Sequence, residues 1–106
     1  HSLDLNYPSF IALFSGNGSS NNSRVTNWEF QRTVTNVGEG RTIYTASVTF
    51  IKGFNVSVIP SKLVFKEKKE KLSYKLRIEG PKIEGFGYLT WTDVKHVVRS
   101  PIVVTN

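Results

Sequence analysis

The stretch Tyr44-Thr45-Ala46-Ser47-Val48-Thr49-Phe50 alternates apolar and hydroxyl side chains. After a turn at Lys52-Gly53 the same rhythm resumes as Phe54-Asn55-Val56-Ser57-Val58, before Pro60 stops it. A period of two puts successive side chains on opposite faces of an extended chain, so the pattern predicts two strands, each with one face on a core and one in water. Working outward towards the N-terminus, residues 24–37 are rich in Thr, Val and aromatics, with Trp28, Phe30 and Val34 on one parity and Thr33 and Thr35 on the other. This predicts one long half-buried strand, broken at Gly38-Glu39-Gly40. Before it lie a polar tract over 15–23, with almost nothing to bury, and an apolar run over 6–14 opened by Pro8. The tract reads as a loop and the run as an edge strand, because proline cannot donate to a ladder but is accepted where a strand starts.

Towards the C-terminus, Leu63 and Phe65 predict a short strand, and Leu72, Tyr74, Leu76 and Ile78 alternate with Ser73, Lys75, Arg77 and Glu79 in the next. Gly80-Pro81 and Gly85 bound a linker. Two last strands, 86–92 and 97–105, flank the turn Asp93-Val94-Lys95-His96. No segment keeps a helical period over roughly ten positions, so no helix is expected. Seven or eight strands in 106 residues predict an all-β fold, a seven- to eight-stranded antiparallel β-sandwich of the immunoglobulin or fibronectin type III kind. Trp28, Phe30, Tyr44, Phe50, Phe54, Phe65, Tyr74, Phe86 and Trp91 mostly share parity with neighbouring aliphatic residues and are expected in its core.

Composition narrows the function. A length of 106 residues fits one domain, 1–106, and is too short for two. The absence of cysteine removes a disulfide framework, a thiolate nucleophile, Cys-ligated zinc and the inter-sheet cystine of antibody domains. No apolar run approaches the roughly 18–20 residues of a membrane helix, so membrane insertion is not expected. The N-terminus also lacks the basic-then-apolar order of a signal peptide, and the chain is expected to be a mature or excised piece.

Five segments in order carry a resemblance: Asp4-Leu5-Asn6-Tyr7-Pro8-Ser9, Arg32-Thr33-Val34-Thr35-Asn36-Val37-Gly38, Tyr44-Thr45-Ala46-Ser47-Val48, Gly87-Tyr88-Leu89-Thr90-Trp91-Thr92-Asp93 and His96-Val97-Val98-Arg99-Ser100-Pro101-Ile102. Together they closely resemble the C-terminal fibronectin type III-like domain of plant subtilisin-like serine proteases of the cucumisin-like kind. The resemblance implies a non-catalytic domain whose partner, a subtilisin-fold catalytic domain of the same precursor, would precede Leu3. It further implies secretion to the apoplast or cell wall and a part in maturation and activity. Val94 stands where the family usually has glycine. A β-branched residue resists positive φ, so the last turn is expected to be a longer type I-based loop instead of a two-residue type I′ turn.

The reactive residue types are few and scattered. The histidines are His1 and His96 alone. Asp93 and His96 are close enough in sequence to touch, and Ser100 is near, but no nucleophile elbow surrounds that serine, and a local hydrogen bond within a turn is the favoured reading. No acidic or histidine cluster has metal-ligand spacing, and Gly38-Glu39-Gly40-Arg41 lacks the ending of a phosphate loop, so neither metal nor cofactor is expected. Asn17, Asn21 and Asn55 begin three Asn-x-Ser sequons, against about one expected by chance, and all are placed to reach solvent as N-glycan acceptors. Lys66, Lys68, Lys69, Lys71, Lys75, Arg77 and Lys82, set against three glutamates, concentrate +4 of the chain's net +6. The residues from Lys66 to Arg77 form a candidate anion patch. An acidic wall polysaccharide suits it better than nucleic acid, while a solvated hairpin whose lysines guard an edge is favoured over either. Tyr7 and Phe10, near where the chain enters, are the candidate interdomain contacts. The leading reading is therefore an accessory domain of a protease, and the alternative a free-standing secreted module that binds acidic polysaccharide.

Overall fold

The computed structural model describes residues 3–5, 9–14, 25–38 and 40–106. Its strands are β1 (Leu3–Leu5), β2 (Phe10–Leu13), β3 (Val25–Asn36), β4 (Thr42–Val48), β5 (Asn55–Ile59), β6 (Lys62–Phe65), β7 (Lys71–Pro81), β8 (Gly85–Thr92) and β9 (Val97–Thr105). They form two packed sheets, one ordered β1-β3-β7-β5 and the other β2-β9-β8-β4-β6. The eight strands expected from the sequence are present; β1, three residues long, is too short to show a period. There is no helix among the described residues.

Both sides of the sandwich are closed by chain that changes sheet. On one side β1, an edge of the first sheet, is followed by β2, an edge of the second; on the other, β5 is followed by β6 across the cis Ile59-Pro60 bond. One ladder departs from the antiparallel expectation. β2 runs parallel to β9, with Phe10 opposite Ile102 and Leu13 opposite Thr105. A parallel pair needs a long crossover, and here most of the chain lies between the two strands.

The inner faces meet in a core in which the aromatic rings contact edge to face. Tyr74 of the first sheet lies 5.0 Å from Trp91 and 6.4 Å from Phe10 of the second, and Phe10 lies 5.5 Å from Phe30. The Arg32 guanidinium covers Phe10 and Phe30 at 4.9 and 5.3 Å, sealing this stack with a cation–π contact. Burial pushes the Tyr74 phenol up in pKa, against the opposing pulls of Trp91 and Arg32, so the hydroxyl stays neutral between the sheets.

Two expectations about the core and one about a linker are corrected. Phe50 is 82% exposed, because β4 ends at Val48 and the parity does not continue past it; Ile51 enters the core instead, in a turn closed by the Phe54 N–H on the Ile51 carbonyl. Phe86 is 56% exposed. β8 runs unbroken from Gly85 to Thr92, so Phe86 and the buried Trp91, five positions apart, point to opposite faces. Gly80 and Pro81 do not begin a linker but complete β7, opposite Thr26 and Val25. The β5 ladder has already ended at Glu79, so the proline lies where β7 has lost one neighbour.

Gly80 is there for space. A Cβ on it would overlap the Phe54 ring, which with Ile51 plugs this end of the sandwich over Gly85 and Gly87. Gly80→Ala is expected to lower the unfolding free energy by about 1–3 kcal/mol through overpacking, read as a lower urea midpoint at unchanged slope. Gly40→Ala, which meets no atom within 4 Å but holds φ at +81°, should cost only about 1 kcal/mol of backbone strain.

Candidate functional site

At the end of the sandwich opposite that plug, the β3–β4 loop and the β8–β9 loop border a depression of about 250 Å³, lined by Asn36, Arg41, Thr42, Asp93 and His96 among others. Asp93 and His96 do touch, with His96 Nδ1 at 3.1 Å from the carboxylate. The carboxylate also accepts from the Lys95 N–H at 2.8 Å, from the His96 N–H, and from the Thr42 hydroxyl on β4 at 2.9 Å. The Asp93 N–H in turn donates to the His96 carbonyl at 3.0 Å. This is an Asx-type closure of a four-residue loop between Thr92 and Val97, and Val94 is not among the residues at positive φ.

Partial burial raises the Asp93 pKa, but the bonds from Lys95, from the His96 ring and backbone, and from Thr42 outweigh it and hold the carboxyl at about 2, below the ordinary 3.8. Ser100 completes no triad with this pair. It lies on the inward parity of β9 and is 2% exposed inside the core, while the His96 side chain is 44% exposed on the loop. The arrangement fastens a loop to a strand. No group of three or more metal-ligating side chains occurs among the described residues.

Asn36 is the polar residue that sequence reasoning left without a role. It is fully buried, and its Nδ2 donates to the Gly40 carbonyl at 2.7 Å and the Glu67 carbonyl at 3.1 Å, while Oδ1 accepts from the Gly38 N–H at 3.1 Å. Its backbone binds the β6–β7 loop twice, to Glu70 and from Lys69. One side chain therefore ties two loops to the end of β3. The available signal was an Asn two residues before a Gly, the spacing of an Asx turn.

The basic residues do not form a hairpin. Lys66, Lys68 and Lys69 lie in the connection from β6 to β7, which belong to different sheets. In that loop the Glu70 carboxylate accepts the Lys66 N–H, and Lys69 holds φ at +69°. Lys71, Lys75 and Arg77 form a column on the outer face of β7; Lys75 and Arg77 are paired on both sides and guard no edge, while Lys71 lies past the end of the β5 ladder, which stops at Lys75. Glu29, opposite Arg77 in register, approaches it at 4.0 Å. This outer face is polar throughout its centre, with Thr33 bonded to Ser73 at 2.9 Å and Ser57 opposite Arg77.

Asn55 is exposed on β5 of this same face. Asn17, Asn21 and Tyr7 lie outside the described residues. Phe10 is buried at 0% exposure in the domain's own core and has no surface to offer a partner; the exposed residues of its strand are Ile11 and Leu13.

A family model described as a fibronectin type-III domain matches residues 4–104. Relatives include Subtilisin-like protease SBT3 of Solanum lycopersicum, 47% identical over 98% of this chain, and the CO(2)-response secreted protease of Arabidopsis thaliana, 47% identical over 96%. The chain belongs to the fibronectin type-III domain family of plant subtilisin-like proteases. It spans only 14% and 13% of the length of those two relatives. Such a domain is a non-catalytic module of a longer protease. Among solved structures the fold is similar to domains 4 and 5 of the S-layer protein SbsC (TM-score 0.61, 13% identity, all of this chain and 52% of that one). It is also similar to WR4, a C. elegans MSP family member (TM-score 0.62, 12% identity, 97% of each chain).

Asn36→Ala would leave two partly buried carbonyls and an N–H without their side-chain partner, and is expected to cost about 1–3 kcal/mol in urea unfolding. For Asp93 the sign follows from a native pKa below the unfolded one: its stabilisation is full above about pH 4–5 and is lost as pH falls through 3.8 towards 2. Unfolding free energies measured from pH 6 to pH 2 should therefore fall less steeply below about pH 4 in Asp93→Asn than in the unaltered protein.

Proposed function

We propose that this chain is the non-catalytic C-terminal domain of a secreted plant subtilisin-like serine endopeptidase, where it packs on the catalytic domain, stabilises it and supports maturation and activity. The observation that carries this reading is the combination of near-complete coverage of this chain at 47% identity with coverage of only 14% of the relative. A strand framework conserved at that level within much longer proteases is a part whose function is exercised through the rest of the chain. The chemistry of the described residues fits: the one aspartate–histidine pair is spent on closing a loop, and the nearby serine faces the core.

Export to the apoplast or cell wall accords with a relative named as a secreted protease and with a sequon at the exposed Asn55. A glycan there would extend from the polar face of the first sheet without touching the core. The alternative, a free-standing module binding acidic polysaccharide, would rely on the Lys71, Lys75 and Arg77 column, where Glu29 and Glu79 already intervene.

The test compares the full-length precursor with one truncated before this domain, both expressed in plant cells. Truncation is expected to lower secreted, processed protease activity by about tenfold or more and to lower the temperature of inactivation, since a partner that binds only the native state stabilises it. Equal activity and equal heat resistance from the truncated precursor would contradict the reading.

A further inference from the structure

The two outer faces of the sandwich differ in kind. That of the β1-β3-β7-β5 sheet carries Glu29, Gln31, Ser73, Lys75, Arg77 and the sequon Asn55. On the β2-β9-β8-β4-β6 sheet the register brings apolar side chains together instead. Ile11, Val103 and Phe86 lie in one row across β2, β9 and β8, and Pro101 and Tyr88 lie in the next. Leu13, beside Ile11 on the same parity of β2, extends the block. Ile11 is 55% exposed, Leu13 64% and Phe86 56%.

Phe86 and Tyr88 meet edge to face at 5.2 Å, and Arg99 lies over Tyr88 at 5.1 Å, so the aromatics are held in place at the surface. Next to it lies a polar row, Thr90 opposite Arg99 and Ser47 opposite Thr90, which separates the block from the exposed Val97 and the Ile43–Val64 pair farther along the sheet. The apolar block is thus bounded: on one side by that row, on another by Thr105 donating to Glu84. A contiguous apolar patch with a polar rim is the signature of a contact surface.

We infer that this block, Ile11, Leu13, Phe86, Tyr88, Pro101 and Val103, is the surface on which the domain docks against the catalytic part of its own chain. The inference rests on the accessory-domain reading and adds the face that makes the contact. Three observations select this occupant. Relatives place some six times this length of other chain in the same protein, at the tethered concentration that linkage gives. The block is centred on β9 and reaches β2, the strand next to the region through which a preceding domain would connect and the edge of its sheet. The opposite face, where Ile59 of β5 is the exposed aliphatic side chain, is polar at its centre and carries a sequon, so a glycan there would keep that face in water and leave this one for the partner.

The experiment uses the full-length precursor, with the truncated precursor alongside. Leu13→Lys with Phe86→Lys adds two charges to the block; Asn27→Lys with Gln31→Lys adds two to the outer face of β3, where both residues are exposed. Phe86→Thr keeps strand propensity while removing the ring, which guards against a simple folding failure. The block pair is expected to lower secreted activity at least about fivefold and Phe86→Thr by about twofold or more, with the β3 pair within about twofold of the unaltered precursor, since an unpaired charge is costly only where it is covered. Normal activity for both block variants when truncation abolishes it would overturn the inference and leave the accessory-domain reading standing. If truncation itself changes nothing, both fall. A native dimer that becomes a fully active monomer in the block variants would also overturn it, identifying the patch as a contact between two copies.

Discussion

Tyr74 stands edge-on between Trp91 and Phe10, and the joining of the two sheets depends on that contact. It brings the centre of one sheet against two strands of the other, and the alternation of side chains does the rest. Once Tyr74, Leu76 and Ile78 face inward, Lys75 and Arg77 must face out; once Leu89 and Trp91 face inward, Phe86 and Tyr88 must face out. The character of each outer surface is therefore set by the same register that builds the core. Asn36 does for the loops at one end what the rings do for the sheets, replacing with protein partners the water its neighbours' backbone groups would otherwise need.

The strands were legible because period-two patterning is a local property, visible wherever one face is buried. The strand over 24–37 emerges at nearly its observed limits, while the alternation from Leu72 to Ile78 marks β7 but stops short of its end at Gly80 and Pro81. What failed was non-local. Nothing in residues 6–14 says that β2 pairs in parallel with a strand some ninety positions later. A Lys-rich turn between two strands looks like a hairpin whether or not the strands share a sheet, and here they do not. Phe86 is grouped with the core aromatics in the sequence pattern, but the unbroken β8 puts it on the parity opposite Leu89 and Trp91. The place of Phe10 near the chain entry suggests an interdomain contact, yet its ring is the one that meets both Tyr74 and Phe30. The resemblance in five short segments reached the family without any of these details, because Asn36, Tyr44 and Trp91 lie within those segments and are buried framework residues.

The chemical quiet of the molecule has a physical explanation. Asp93 and the one described histidine form a closed local network, Ser100 is buried in the sandwich, and Arg77 on the basic column already faces Glu29. Such a domain acts through surface, and the surface is asymmetric: a polar face suited to solvent and glycan, and an apolar block suited to protein. In a longer protease, that asymmetry would orient the domain on its partner.

Hydroxyl-radical footprinting of the intact protease tests this most directly. With the block covered, Phe86 and Tyr88 are oxidised several-fold more slowly than their exposure in the free domain implies, while Ile59 on the other sheet and His96 at the loop end react as exposed residues. Oxidation of Phe86 and Tyr88 at fully exposed rates in the intact protease, with Ile59 protected instead, would contradict it.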